Sequence, residues 1–423
     1  MKRYEEYKDT GIAWLPRIPA HWEERKFKYC FVERSEKNHP DEEMLCATQS
    51  HGVIPQSMYQ NRVVVVNKGF EGLKLVKVGD FVISLRSFEG GIEYAYYQGI
   101  ISAAYTILTP VEKQCTEYFK RLFKSQPFIQ LLQTCVTGIR EGQNINYPLL
   151  GRKQIPIPPL AEQEKIVRFL EENTSKIDAL LEEKGDQIQL LNELKESEIA
   201  NIITRGLNPD VKMKDSGISW IGMIPEHWEV RRLSQVAYEH FISNKNIHHQ
   251  NLLSLSYGRI IRKDINTTEG LLPASFDTYQ VVERGNIVLR LTDLQNDQKS
   301  LRVGLVREEG IVTSAYVCLG ISNNSIAPEY LYNTLHSYDI KKLFYSMGGG
   351  LRQNLNWQGL KKIDIPLPPP EEQKAIVAYI EDKCNKINSL ITELEGEIEF
   401  LKEYKQKLIA DCVTGQIDVQ SEI

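Results

Sequence analysis

KDTGIAWLPRIPAHWEER, Lys8 to Arg25, returns as KDSGISWIGMIPEHWEVR, Lys214 to Arg231, with eleven of eighteen positions identical at an offset of 206. A second echo closes each copy. Gln143 to Leu180 (QNINYPLLGRKQIPIPPLAEQEKIVRFLEENTSKIDAL) matches Gln353 to Leu390 (QNLNWQGLKKIDIPLPPPEEQKAIVAYIEDKCNKINSL) at an offset of 210. Two large units therefore share one plan, and between the matched ends their sequences diverge. One scaffold carrying two different surfaces points to two different ligands read at once.

The 423 residues are 42% hydrophobic and 25% charged, the composition of a soluble protein of two or three domains. Seven cysteines show no CxxC pair and no His-linked spacing, so reduced thiols are expected rather than disulfides or a metal. The opening MKRYEEYKDTG has no apolar signal core, and no apolar run approaches the roughly 20 residues that span a bilayer, so a cytoplasmic location is expected. The net charge of -5 is unevenly distributed. Arg17 to Pro158 holds 18 Lys and Arg against 14 Asp and Glu, and Ile224 to Pro369 holds 16 against 14. Leu160 to Gly206 holds 6 against 11, and Pro370 to Val413 holds 6 against 10. The bodies are mildly basic and the connectors acidic. Nucleic acid is therefore not excluded as a ligand, since the local field decides. Tight non-specific binding by this chain alone is disfavoured, which implies partners that add phosphate contacts.

Each unit closes on prolines, IPIPPL or IPLPPP, after which a helix is predicted. Proline costs no hydrogen bond in a first turn, and Glu162, Glu164, Glu371 and Glu372 suit the positive end of the helix dipole. Ile380, Ile387, Leu394, Leu401 and Leu408 recur every seven residues, interleaved with Cys384, Ile391, Ile398, Lys405 and Cys412. That is the seam of a coiled coil. The first copy keeps Leu170, Ile177, Leu181, Ile188, Leu191 and Ile202, broken by Lys184, Lys195 and Glu198. Equal helices over Ala161 to Ile203 and Glu371 to Val413, about 65 Å long at 1.5 Å per residue, suit a pair packed on each other.

Within the units, β-branched alternation predicts strands at Val63 to Val66, Phe81 to Leu85 and Gly99 to Leu108, then at Val281 to Val282, Ile287 to Leu291 and Gly310 to Leu319. Helices are predicted over Thr116 to Thr134 and Pro328 to Tyr345. The fold class is α+β, a mixed α/β body repeated. The division is 1–159, a first domain; 160–206, a helical connector; 207–369, a linker and second domain; and 370–423, a second connector and tail.

Catalytic marks are missing. There is no GxxxxGK[ST] loop, no HExxH and no NPPY-type motif for attack on a base. The clusters Glu89-Gly90-Gly91 and Gly348-Gly349-Gly350 lack the strand-then-helix context of a dinucleotide or adenosylmethionine site. Pro209-Asp210-Val211-Lys212 reads as a linker turn. In the IPxHWE elements Trp22 and Trp228 read as anchors, with His21 and His227 as hydrogen-bonding partners rather than bases.

Polar and basic residues where the copies turn or diverge are the recognition candidates. In the first unit they are Arg62, Lys68, Arg86, Ser87, Gln98 and Arg140. In the second they are Arg259, Arg262, Lys263, Arg290, Thr292, Asp293, Gln295, Asn296, Lys299, Arg302 and Arg352. Arg pairs with guanine, Asn and Gln with adenine, and Lys holds phosphate, so the mixture suits a major groove. The shared Gln143-Asn144-x-Asn146 and Gln353-Asn354-x-Asn356 fit either a backbone contact at both sites or a turn before the closing strand, the turn being preferred.

These features together resemble the specificity subunits of type I restriction-modification systems: the paired KDxGIxW…IPxHWE openings, the paired QNxN…IPxPPxxEQ closings, and LIADCVTGQIDV after a heptad helix. They frame essentially the whole chain. The resemblance implies two target recognition domains, each reading half of an asymmetric bipartite DNA site, joined by two long antiparallel coiled-coil helices in a pseudo-two-fold arrangement. The helices would set the spacing and dock methyltransferase subunits, two of them expected, with restriction motor-nuclease subunits completing the complex. The chain would be non-catalytic and bind no cofactor. S-adenosylmethionine, ATP and Mg would belong to the partners. The first copy departs from the second where Thr204-Arg205-Gly206 stands against Thr414-Gly415-Gln416. Two rivals are a coiled-coil scaffold without sequence-specific DNA binding, which leaves the diverged units unexplained, and a self-contained DNA-modifying enzyme, which lacks its motifs.

Overall fold

The computed structural model describes residues 2–59, 69–111, 115–138, 144–246, 249–266, 275–296, 301–349 and 353–420. The chain divides into two compact units, Met1–Lys184 with Glu395–Ile423, and Gly185–Leu394. In the first unit strands β1 (Phe31–Arg34), β2 (Leu45–Thr48), β3 (Gly52–Pro55), β4 (Phe81–Ile83), β5 (Glu93–Tyr94) and β6 (Thr106–Pro110) precede helices α1 (Thr116–Lys124) and α2 (Gln126–Gln133). Four strands form an antiparallel sheet in the order β1-β6-β4-β5, and β2 and β3 make a separate hairpin.

Helix α3 (Leu160–Arg205) follows, then β7 (Ala237–Glu239), β8 (Leu253–Ser256), β9 (Arg259–Arg262), β10 (Ile287–Leu289), β11 (Val303–Leu305), β12 (Val317–Ile321), α4 (Pro328–Ile340) and α5 (Pro370–Val413). The second sheet has the same permuted order, β7-β12-β10-β11, and β8 and β9 repeat the hairpin. Parallel pairing enters as isolated bridges, Val53 with Ala95 in one unit and Leu252 with Ile311 in the other. In each unit the opening and closing motifs pair as two antiparallel strands, Glu23–Lys26 with Gln154–Ile157 and Glu229–Arg232 with Asp364–Leu367. The repeated ends of each copy are thus one structural element.

The start of each long helix is fastened to its body by an adjacent Glu-Gln pair. Gln163 donates to the Pro158 carbonyl and accepts from the Cys115 N–H; Gln373 donates to Pro368 and Ser325 carbonyls and accepts from the Ala327 N–H. His21 meets Glu162 at 2.7 Å, and His227 meets Glu372 at 2.8 Å. Trp22 and Trp228 are fully buried. The far end of the other long helix completes each body: Tyr118 donates to the Val413 carbonyl, and Tyr330 to those of Ile203 and Pro366.

Gly206 and Gly415 end the helices in the left-handed region, both at φ +73°, where glycine carries no Cβ penalty. A Cβ on Gly415 would collide with Pro19, and one on Gly206 would come within 3.2 Å of Trp228. The two glycines are therefore structural equivalents, although Gly206 aligns with Gln416 at the offset of 210.

Along the seam Leu170, Ile177, Ile380, Ile387 and Leu408 are buried, and Leu181, Ile188, Leu191, Ile391, Leu394, Ile398 and Leu401 are half-buried. The helices run antiparallel, because rising numbers on α3 meet falling numbers on α5: Asp178 with Lys405, Lys184 with Glu397, Lys195 with Asn388. The lysines that interrupt the heptads, Lys184, Lys195 and Lys405, are thus bonded across the seam. Gly185 and Gly396 lie within unbroken helix.

Six predicted elements are shorter than their patterns, among them the strands expected over Phe81 to Leu85 and Ile287 to Leu291, which end at Ile83 and Leu289. The strands expected over Gly99 to Leu108 and Gly310 to Leu319 each divide. Ser102 and Thr313 close a turn on Tyr105 and Tyr316, and their hydroxyls accept the Ala104 and Ala315 N–H groups. The helix expected over Thr116 to Thr134 breaks at Ser125, because Pro127 has no N–H to continue the ladder. The helix over Pro328 to Tyr345 stops at Ile340, and Lys342 turns left-handed at φ +59°. Strands at Phe81–Ile83, Gln280–Val282 and Ile287–Leu289 occupy the other expected places, while Val63 to Val66 lies outside the described residues.

Candidate functional site

Two features in equivalent places of each unit present exposed polar residues: the tip of the separate hairpin and the loop that follows the inner strand of the sheet. In the second unit the hairpin turns through Tyr257 and Gly258, at φ +45° and +76°. Two positive φ angles make the tight turn that matches strand twist. It leaves Tyr257 78% exposed beside Arg259, Arg262 and Lys263, all exposed. Arg262 is paired with Glu308 by its Nε at 2.7 and 2.8 Å. Tyr257 is a surface residue beyond those the sequence singles out. Its signal was a Tyr-Gly pair between two apolar-alternating runs, LLSLS and RIIR.

The loop after β10 is held from three sides. Arg290 is half-buried, and Asp293 takes φ +56° while its N–H donates to Asn354 Oδ1 at 2.8 Å. Asn296 donates to Asp293 Oδ1 at 2.7 Å, and Thr292 is half-buried. Gln295, Asn296 and Asn354 are exposed, and Gln353 is half-buried at φ +48°. Gly348 lies where a Cβ would meet the Gln353 carbonyl at 2.6 Å, so this glycine serves a close backbone approach. Lys299 and Arg352 fall outside the described residues.

Arg302 corrects the sequence reading. It is fully buried, because its guanidinium faces inward onto loop carbonyls, and it cannot lie on a binding surface. Ser87 is corrected likewise: it is buried, and its Oγ accepts the Ser84 N–H in a turn.

In the first unit the hairpin turns through Gln49, Ser50 and His51, all exposed, with Gly52 at φ +72°. The Thr48 hydroxyl accepts the His51 N–H and donates to the Gly52 carbonyl. The loop after β4 presents Arg86, its side chain 79% exposed, 4.0 Å from Glu89. Gln98 is exposed and donates to Glu42, and Asn144 is paired with Thr137 in a short ladder. Arg62, Lys68, Arg140 and Gln143 lie outside the described residues. The last residues of the QNxN motifs act as turn formers: Asn146 and Asn356 cap short helices by accepting from the Leu149 and Gly359 N–H groups.

Behind the first unit's loop, Glu93 is 2% exposed, and burial pushes its carboxyl up to about 7 against the pull of Lys124. Gly91, at φ +83°, passes so close to the Phe123 carbonyl that a Cβ would collide with it. The Glu89-Gly90-Gly91 cluster therefore lets the loop lie on α1. At the helix anchors burial pushes the Glu162 carboxyl up, but hydrogen bonds from Tyr4, His21 and Trp22 outweigh it and hold the group below its ordinary value. That acid is ionised and spent on structure. Among the described residues no group of His, Cys, Asp and Glu is arranged to hold a metal ion, and no helix is long and apolar enough to cross a membrane.

What the two surfaces can do is donate and accept hydrogen bonds in two different patterns from one framework. The family described as type I restriction modification DNA specificity domain matches residues 21–190 and again residues 225–399. The chain is 26% identical to the type I restriction enzyme MjaVIII specificity subunit of Methanocaldococcus jannaschii over 82% of this chain and 81% of that one. It is 23% identical to the EcoBI specificity subunit of Escherichia coli over 73% and 68%. Among solved structures it shares its fold with a chain from a study of complex assembly and conformational transition of the type I R-M system, at a TM-score of 0.64, 15% identity and coverage of 95% and 99%. The HsdS subunit from Thermoanaerobacter tengcongensis aligns at a TM-score of 0.50, with 15% identity and coverage of 95% and 98%.

Proposed function

Since this chain belongs to the type I restriction modification DNA specificity family, we propose that it selects the DNA sequence on which a type I restriction-modification complex acts. Each unit reads one half of a two-part target, and the reaction is carried by partner subunits. The observation that carries this reading is the repeated sheet and hairpin bearing unlike side chains at equivalent places. One unit offers Arg86 with Gln49, Ser50 and His51; the other offers Gln295, Asn296 and Asn354 with Tyr257 and Arg259. Arginine recognises guanine through two hydrogen bonds, and the amides recognise adenine in the same way. Because the two sets differ, the half-sites differ and the full target is asymmetric.

The long helices take the part of a ruler. At about 1.5 Å per residue, 46 residues span about 69 Å, enough to hold two readers over half-sites one DNA turn apart, roughly 34 to 36 Å. Their exposed faces are acidic and suit docking of methyltransferase subunits, two in number, with motor-nuclease subunits joining them. S-adenosylmethionine, ATP and Mg are assigned to those partners, and the complex to the cytoplasm.

Selection from a randomised duplex library tests this. The chain assembled with its cognate methyltransferase subunits is expected to enrich one two-part motif, bound about 10³-fold or more above scrambled DNA. Equal retention of all sequences would contradict the reading.

A further inference from the structure

We propose that in each unit a cation set behind the base-reading loop shapes it, so that Arg302, fully buried, and Lys124, half-buried, are positioning residues for half-site specificity although neither reads a base. The inference rests on the reading of the two units as DNA readers and names what fixes their loops.

In the second unit the Arg302 guanidinium sits under the loop after β10. One terminal nitrogen donates to the carbonyls of Arg290 at 3.0 Å and Thr292 at 2.9 Å, and the other to that of Asp293 at 3.4 Å. Its Nε donates to the Tyr345 hydroxyl at 3.0 Å, and its backbone N–H donates to Asp339, itself fully buried on α4. A planar fork matches several carbonyls that converge from different directions, which a point charge cannot do. The loop needs such a hold. Asp293 has a left-handed backbone that persists in a non-glycine residue only when its surroundings fix it. The exposed Gln295 and Asn296 follow directly from that bend.

The first unit reaches the same end with other residues. The Lys124 ammonium, on α1, donates to the Gly90 carbonyl at 2.9 Å, the Gln49 carbonyl at 3.3 Å and the buried Glu93 carboxylate at 2.5 Å. Three acceptors fill its three N–H bonds. One cation thereby ties the hairpin tip to the loop carrying Arg86. A buried carboxylate lies beside each clamp: Asp339 accepts the Arg302 backbone N–H, and Glu93 accepts from the Lys124 ammonium. The sequences that supply the two clamps are unrelated: Lys124 is on the first helix after the sheet, whereas Arg302 precedes β11. Packing alone does not require two diverged halves to place a cation against recognition-loop carbonyls; a shared need to fix the loop does.

Removing the cation alone would strand a buried carboxylate, so the test removes both members together. Arg302→Met with Asp339→Asn, and Lys124→Met with Glu93→Gln, are each expressed with the cognate partners. Methylated motifs are then mapped at base resolution, and thermal unfolding is followed on each purified chain. The first pair is expected to lower base discrimination about tenfold in the half-site read by the second unit, leaving the other half and the spacing unchanged. The second pair is expected to do the reverse. Restoring arginine alone, as Asp339→Asn, is expected to recover most of the discrimination. Unchanged motifs in both variants, equal relaxation of both halves, or loss of all methylation at unchanged melting temperature would each overturn the inference. Absence of any two-part motif in the unaltered complex would instead overturn the reading on which it rests.

Discussion

Inserting one heptad at the middle of each long helix is expected to lengthen the spacer of the DNA target by about three base pairs while both half-sites stay the same. Seven residues add about 10.5 Å of helix, against about 3.4 Å per base pair along the duplex. A heptad is the right increment because it returns the apolar positions to the same face, so that Ile188, Leu191, Ile391 and Ile398 still meet a seam. Both helices must be lengthened. They are bonded in antiparallel register by Asp178 with Lys405, Lys184 with Glu397 and Lys195 with Asn388, and lengthening one alone slides those pairs past each other. The single insertion is therefore expected to reduce methylation at least tenfold, and the double insertion to restore it on the longer site. Base-resolution mapping of modified adenines reads both outcomes. A double insertion that methylates the original spacing would remove the ruler.

Trp22→Ala is expected to destabilise the first unit by about 3–5 kcal/mol, the range for truncating a fully buried large aromatic side chain. The informative comparison is with phenylalanine at the two equivalent anchors. Trp22 Nε1 donates to the Glu162 carboxylate at 2.9 Å, which also accepts from the Tyr4 hydroxyl at 2.6 Å and His21 at 2.7 Å. Trp228 is as deeply buried, but its Nε1 meets no acceptor among the described residues. The carboxylate below it, Glu372, is held by His227 and is more exposed, at 26% against 5% for Glu162. Trp22→Phe thus gives up a hydrogen bond to a charged group, about 1.5–3 kcal/mol, in addition to packing. Trp228→Phe gives up packing alone. Denaturant unfolding of the two variants, with hydrogen exchange assigning each loss to its unit, is expected to show that difference. Equal losses would mean that the buried carboxylate does not act as the anchor of the first unit.

Much of this architecture is legible in the sequence because it rests on periodic or repeated signals. The seven-residue spacing of Ile380, Ile387, Leu394, Leu401 and Leu408 predicts a helix with one apolar face, and that face is the seam. The duplicated IPxHWE and IPxPP motifs mark the two ends of each body, although nothing in their spacing reveals that they pair as neighbouring strands. What stayed hidden depends on direction. An arginine in the polar run QKSLR reads as surface, but the chain turns Arg302 inward onto three carbonyls. Ser102 and Thr313 look like strand residues until their hydroxyls close a turn. The exposure of Tyr257 is silent in the sequence because an aromatic beside a glycine signals a bend before it signals exposure. The one-residue shift between Gly206 and Gly415 is invisible to alignment and plain from what each glycine touches, a Pro and a Trp of its own anchor.

The most direct measurement is a base-resolution map of genomic adenine methylation in cells that carry this gene, compared with the same cells after its deletion and after its return. The account predicts that one asymmetric, two-part motif disappears on deletion and reappears on complementation. A map that is the same in all three, with the chain and its methyltransferase partners expressed, would contradict the claim that this chain chooses the sequence.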